Sequence, residues 1–167
     1  MNRFCKASPA SQGFTLIEIL VVLAIIGVIS SLVVVRLGTS DQHKVERAAE
    51  DLAAVLEAAR DEAVFSGQHV AISSDGQGYQ LWHNHGSQGQ WVGLPAEAGL
   101  RAGKLAEGVR WQSQRVNDQA QALGERIVLP PDGVVDPFGV ELAAGDARRW
   151  LQADVMGRIE VSDAARP

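Results

Sequence analysis

The stretch Phe14–Val35, FTLIEILVVLAIIGVISSLVVV, decides how the rest of the chain is read. It is apolar throughout except for Glu18, close to its start. As a helix rising about 1.5 Å per residue, it reaches roughly 33 Å, against a hydrocarbon core of about 30 Å. Arg36 ends it, and Gly27, Ser30 and Ser31 are small enough for a helix–helix contact. The length and apolarity predict a membrane-inserted segment at 14–36, since a buried helix of a small soluble domain is normally shorter.

Working outward toward the N-terminus, MNRFCKASPASQG carries Arg3 and Lys6 and no acid. The positive-inside tendency places this end in the cytoplasm and sends the chain beyond Arg36 across the inner membrane into the periplasm. Three fates fit such a start. The chain is cut after the apolar run, at Ser30-Ser31; or it is uncut and simply anchored; or it is cut before the run. The first two leave Glu18 unexplained, because an ionised side chain within a bilayer costs about 2.5–3.5 kcal/mol at the centre. A cut between Gly13 and Phe14 supplies a partner: the new α-amine of Phe14 lies about 6 Å along the helix axis from Glu18. The carboxylate then meets its own amine or that of a neighbouring subunit, and a burial cost becomes a rule for assembly.

These residues resemble the class III signal of type IV pilins. Gly13 at the cut, Phe14 next, Glu18 four residues on and then the apolar helix match the family's pattern, with Gln12 where many leaders carry a basic residue. The resemblance implies that a prepilin peptidase cleaves after Gly13 and methylates the Phe14 amine, and that Glu18 is the assembly carboxylate. Residues 1–13 would then be a leader, and Cys5, the single cysteine, would leave with it. That excludes the C-terminal disulfide loop common among pilins.

The remainder of the 167 residues suffices for one domain. A net charge of -5, without a polybasic patch, argues against nucleic acid as a partner. Gly38-Thr39-Ser40-Asp41 is a candidate bend. Beyond it, Val45, Ala49, Leu52, Leu56, Ala59 and Ala63 recur at alternating steps of four and three, which is one stripe of an amphipathic helix over 37–67 ending at Gly67.

From Gln68 the period falls to two. QHVAISSDGQGYQLWHN reads as a hairpin turning at Asp75-Gly76. QWVGL, GVRWQ, RIVLP, GVEL, RRWLQADV and RIEV are further strands, separated by turns at Pro130–Gly133 and Met156-Gly157. The segment 113–125, SQRVNDQAQALGE, lacks an apolar pattern and is expected to be an exposed, mobile loop. A long helix leaning on such strands is an α+β arrangement, with the β-rich domain over 68–167.

ERIVLPPDGVVDPFGVEL and then RRWLQADVMGRIEV resemble the closing pattern of the protein H family of type II secretion minor pseudopilins, shared with FimT-like minor pilins. That resemblance implies a long N-terminal helix, half in the membrane, packed on a two-sheet antiparallel β-domain. It also implies a structural subunit near the tip of a pseudopilus. Its partners would be the major pseudopilin, other minor pseudopilins, the prepilin peptidase, the inner-membrane secretion platform and the exoproteins themselves. A FimT-like minor pilin of a type IV pilus is the alternative, and a membrane-tethered periplasmic enzyme a more distant one.

Other signals carry less. His69, His83 and His85 suggest zinc but lack a fourth ligand. Asp132 and Asp136 lack the alternating oxygens of a calcium loop. No Ser-His-Asp or Cys-His arrangement is legible. No cofactor, metal or catalytic residue is therefore expected. Trp82, Trp91, Trp111 and Trp150 are expected mainly in the sheet core, with one or two facing a partner.

Overall fold

The computed structural model describes residues 15–85, 89–94 and 100–164, with the side chains of 30–39 and of His85 left out. Gly13 and Phe14 therefore lie outside the described residues. The chain forms two compact units, 1–37 and 38–167. Helix α1, Leu16–Ser66, is 51 residues long and continues without interruption through 38–41, so the candidate bend at Gly38 coincides with the boundary between units and not with a break in the helix.

In the second unit the predicted stripe is the buried one. Val45, Ala49, Leu52, Leu56, Ala59 and Ala63 are all buried, on one side of α1. Burying Leu52 and Leu56 contributes roughly 1.5–3 kcal/mol each. The alanines let the helix backbone approach the sheets closely. Gly67 stops α1 with φ 68°, a left-handed conformation that costs glycine nothing. The Ser66 hydroxyl donates to the Glu62 carbonyl (2.7 Å), and the Gln68 N–H donates to the Ser66 hydroxyl (3.3 Å).

Among the described residues, ten strands come after the helix, in two five-stranded sheets. In chain order they are β1 Val70–Ser74, β2 Gly78–His85, β3 Gln90–Gly93, β4 Gly103–Lys104, β5 Arg110–Val116, β6 Gln119–Gln121, β7 Ile127–Leu129, β8 Phe138–Ala144, β9 Ala147–Ala153 and β10 Ile159–Ser162. The first sheet runs β3-β2-β1-β7, with β4 beside β2; the second runs β10-β9-β8-β5-β6; every pairing is antiparallel. The helix packs on both. Ile72, Leu81 and Ile127 from the first sheet join Trp111, Leu142 and Leu151 from the second in one core with the helix stripe.

The β1–β2 hairpin turns as expected at Asp75-Gly76. Asp75 Oδ1 accepts the N–H groups of Gln77 and Gly78, both at 2.9 Å, and these bonds hold its carboxyl below the usual value of 3.8.

The expected loop at 113–125 is corrected. Residues 113–116 belong to β5, which lies inside the second sheet between β8 and β6. Asn117 and Asp118 form a two-residue turn with φ of 50° and 61° at the pairing of Val116 with Gln119. Both values are those of a type I′ hairpin, and Asn and Asp tolerate them. The pattern misled because Gln114 occupies an inward position. It is buried, yet its amide donates to the carbonyls of Ala122 (3.2 Å) and Glu125 (3.1 Å), so a polar residue stands where alternation demands an apolar one. The next turn is tied down by the Gly124 N–H on the Ser74 carbonyl at 2.8 Å. The short strand β4 carried no sequence signal either.

The last hairpin is clamped to α1. Arg60 Nη1 donates to the carbonyls of Met156 (3.3 Å) and Gly157 (3.2 Å). Gly157 has φ 68°, and a Cβ there would stand 2.6 Å from Arg60 Cδ. Gly157→Ala must therefore both adopt a left-handed conformation, at about 1–2 kcal/mol, and displace the arginine. The expected result is a thermal midpoint lower by roughly 2–8 °C, read by circular dichroism on the detergent-extracted chain. A midpoint within experimental error of the parent's would show that the clamp adapts freely.

The same turn carries a pH signature. Asp154 accepts the N–H groups of Met156 (2.8 Å) and Arg158 (3.0 Å), and the Arg158 guanidinium meets its second oxygen at 2.8 Å. The Arg158 backbone N–H, then its side chain and the Met156 N–H, hold the carboxyl below 3.8. A pKa lowered by folding gives stability that is present above the unfolded value and disappears as pH falls through the folded one. Asp154→Asn should thus melt below the parent at about pH 6, and the gap should close as the pH falls through and below the usual carboxylate range. A difference that stays constant across that fall would remove the charge from this account.

Candidate assembly interface

The start of α1 is built by Thr15 and Glu18. Thr15 Oγ1 accepts the Glu18 N–H at 3.3 Å, and the Thr15 carbonyl accepts the N–H groups of Glu18 (3.1 Å) and Ile19 (3.4 Å). Thr15 is thus the N-cap and Glu18 the third residue of the first turn, the spacing of a capping box. The carboxylate sits at the positive end of the helix dipole, where unpaired N–H groups already favour an anion. Thr-x-x-Glu is legible in the sequence as a capping pattern, so Glu18 has a local role at the helix start beside any pairing with a cation. Glu18 is exposed.

From Ile19 to Ile29 the helix is apolar on every side. Its large apolar side chains from Leu16 to Ile29 are 47–80 % exposed. A soluble monomer rarely shows a patch above a few hundred Å². A helix apolar all round is buried in lipid or among other helices. Among the described residues no helix is long and apolar enough to cross a membrane. The described apolar side chains stop at Ile29, short of the roughly 20 residues a crossing needs. The expected span 14–36 reaches beyond them at both ends.

The other candidate sites disperse. His69 is exposed just before β1, and His83 Nδ1 lies 3.3 Å from Gln68 Oε1. Among the described residues no group of His, Cys, Asp and Glu is arranged to hold a metal. Asp132 Oδ1 instead accepts the Val134 N–H at 3.1 Å, closing a turn. Of the tryptophans only Trp111 is in the core. Trp82, Trp91 and Trp150 are half-exposed, because their strand positions put them on the outer faces of the sheets, where arginines stack on them.

Comparison with known proteins resolves what such a helix and double sheet belong to. The family profile of the type II transport protein GspH matches residues 48–157, and that of the prokaryotic N-terminal methylation motif matches residues 8–34. The chain belongs to the GspH family. Type II secretion system protein H of Aeromonas hydrophila is 23% identical over 90% of this chain and 92% of the relative. The fold is that of EpsH, the minor pseudopilin of the type 2 secretion system of Vibrio cholerae, with a TM-score of 0.61 at 14% identity over 74% of this chain and 99% of that one. FimU, a type IV minor pilin of Pseudomonas aeruginosa, shares it at a TM-score of 0.52 and 21% identity over 72% of this chain and 89% of that one.

GspH membership makes the chain a minor pseudopilin of a type II secretion system, a structural subunit and not an enzyme. Membership also implies association with other pseudopilins. Together with the methylation motif it implies a membrane-anchored, periplasmic pseudopilus. In a GspH subunit the exposed apolar helix becomes the central functional feature.

Proposed function

We propose that this subunit enters the inner membrane through residues 14–36, with its N-terminus cytoplasmic and its β-domain periplasmic, and is then cut after Gly13 by the prepilin peptidase and methylated on the Phe14 amine. On extraction by the secretion platform its helix joins the filament core, where Glu18 pairs with the Phe14 amine of a neighbour and sets the axial step. The subunit lies near the filament tip, between the other minor pseudopilins and the major one, and the filament drives folded exoproteins across the outer membrane. One observation carries this reading: an exposed carboxylate in the first turn of a helix that is apolar on all sides. In lipid or in a helix bundle that charge needs a cation, and an amine freed at Phe14 is the nearest the chain can make.

The test is the intact mass and N-terminal sequence of the protein purified from membranes of its own host. A chain beginning at methylated Phe14 supports the reading. A chain beginning at Met1, or after Ser30 or Ser31, overturns it.

The fold shared with FimU supports a second reading, a minor pilin of a type IV pilus. Deleting the gene separates the two. Loss of exoprotein secretion with surface motility retained fits the pseudopilus, and the opposite result fits the pilus.

A further inference from the structure

The outer face of the first sheet holds a cation on an aromatic bed. Arg126 directly precedes β7, in register with Ser73, because Ile127 pairs with Ile72. Ser73 and Trp82 share that face: Trp82 pairs with Ala71, and its indole N–H donates to the Ser73 hydroxyl at 2.9 Å. The Arg126 guanidinium therefore crosses β1, lying 4.5 Å from the Trp82 ring centre and 5.7 Å from that of Trp91 on β3. Gly93, opposite Trp82, leaves open space beside the indole.

Stacking uses the face of the guanidinium and leaves its N–H edge, which matches a carboxylate bidentately. Among the described residues no carboxylate pairs with Arg126, although the chain carries net charge -5. The side chain is exposed, and Val128 beside it on β7 is 36% exposed. Among the described strands β7 pairs only with β1, so its outer edge offers free main-chain groups to an extended segment.

We propose that Arg126, Trp82 and Trp91 form a docking site for an extended, carboxylate-bearing segment of a different subunit of the same filament. The inference rests on the pseudopilus reading above. It takes charge complementarity as its ground: a pre-oriented cation on a partly dehydrated aromatic surface, with its donors unspent. The two indoles restrict the arginine before the partner arrives, which reduces the ordering cost of binding.

The test uses the full chain in its own host, with the photo-crosslinker p-benzoylphenylalanine in place of Val128 and, separately, of Ile25 on the helix. Position 128 should give an adduct with another filament subunit. Arg126→Glu and Arg126→Gln should lower its yield by roughly tenfold, with subunit abundance unchanged. Arg126→Lys, which keeps the charge but not the planar fork, should fall between. An acid-to-lysine change in the crosslinked partner segment should restore the adduct in Arg126→Glu. Unchanged yield in both Arg126→Glu and Arg126→Gln overturns the proposal. So does an adduct that proves to be a second copy of this chain or an exoprotein. Adducts at 25 without any at 128 overturn the docking site and leave the filament standing, whereas no adduct at either position overturns the filament reading with it.

Discussion

Glu18→Gln and Glu18→Ala are both expected to be cleaved after Gly13 and to accumulate in the membrane at parental levels, and both are expected to be nearly absent from purified filaments. An unpaired charge in a low-dielectric environment costs about 2.5–3.5 kcal/mol, so a pair that relieves this biases incorporation by roughly a hundredfold. The glutamine variant decides between two roles of the same residue. Glu18 is the third residue of a first turn capped by Thr15, and glutamine serves that position as well as glutamate does. If the cap were all that mattered, Glu18→Gln would assemble normally and only Glu18→Ala would be weakened. If the charge sets the axial step, both fail alike. Quantitative immunoblotting of sheared filaments against total membranes reads the difference. Normal incorporation of both variants would end the charge-pairing account.

Trp111→Ala should cost about 3–5 kcal/mol and lower the thermal midpoint of the β-domain by on the order of 10 °C. Trp111 is 1% exposed and belongs to the cluster that joins the helix stripe to both sheets, so its removal leaves a large cavity at their junction. Trp111→Phe should be much milder, at about 1–2 kcal/mol. The indole N–H is buried without a hydrogen-bond partner among the described residues, and phenylalanine removes that unsatisfied donor along with part of the ring. Denaturant unfolding monitored by far-ultraviolet circular dichroism gives both values. A Trp111→Ala midpoint within about 2 °C of the parent would show that the core collapses around the gap.

Much of this architecture was legible because it is periodic. The six apolar positions from Val45 to Ala63 are set out by their spacing alone, and every one is buried. Eight of the ten strands, including the hairpin that turns at Asp75-Gly76, were legible from alternation and turn chemistry. The β5–β6 hairpin was missed for a specific reason. Gln114 faces the core, and only its amide N–H groups are met, by carbonyls eight and eleven residues away, while its Oε1 has no partner among the described residues; no local pattern encodes that partial compensation. The tryptophans failed similarly. Residue type suggested the core, but pairing opposite Ala71 sends Trp82 to the outer face.

By itself the sequence determined the helix, the alternating strands, and a start in which a short basic stretch, Gly13, Phe14 and Glu18 open an apolar run. Such features depend on residue identity and on periods of 3.6 and 2, which are properties of a few neighbouring residues. Tertiary structure alone decided which polar groups meet. Arg60 reaches the last hairpin across ninety-six residues of sequence, and Arg126 crosses one strand to lie on the tryptophans of two others. Such contacts depend on strand order and register, which arise from how apolar faces are shared between distant segments.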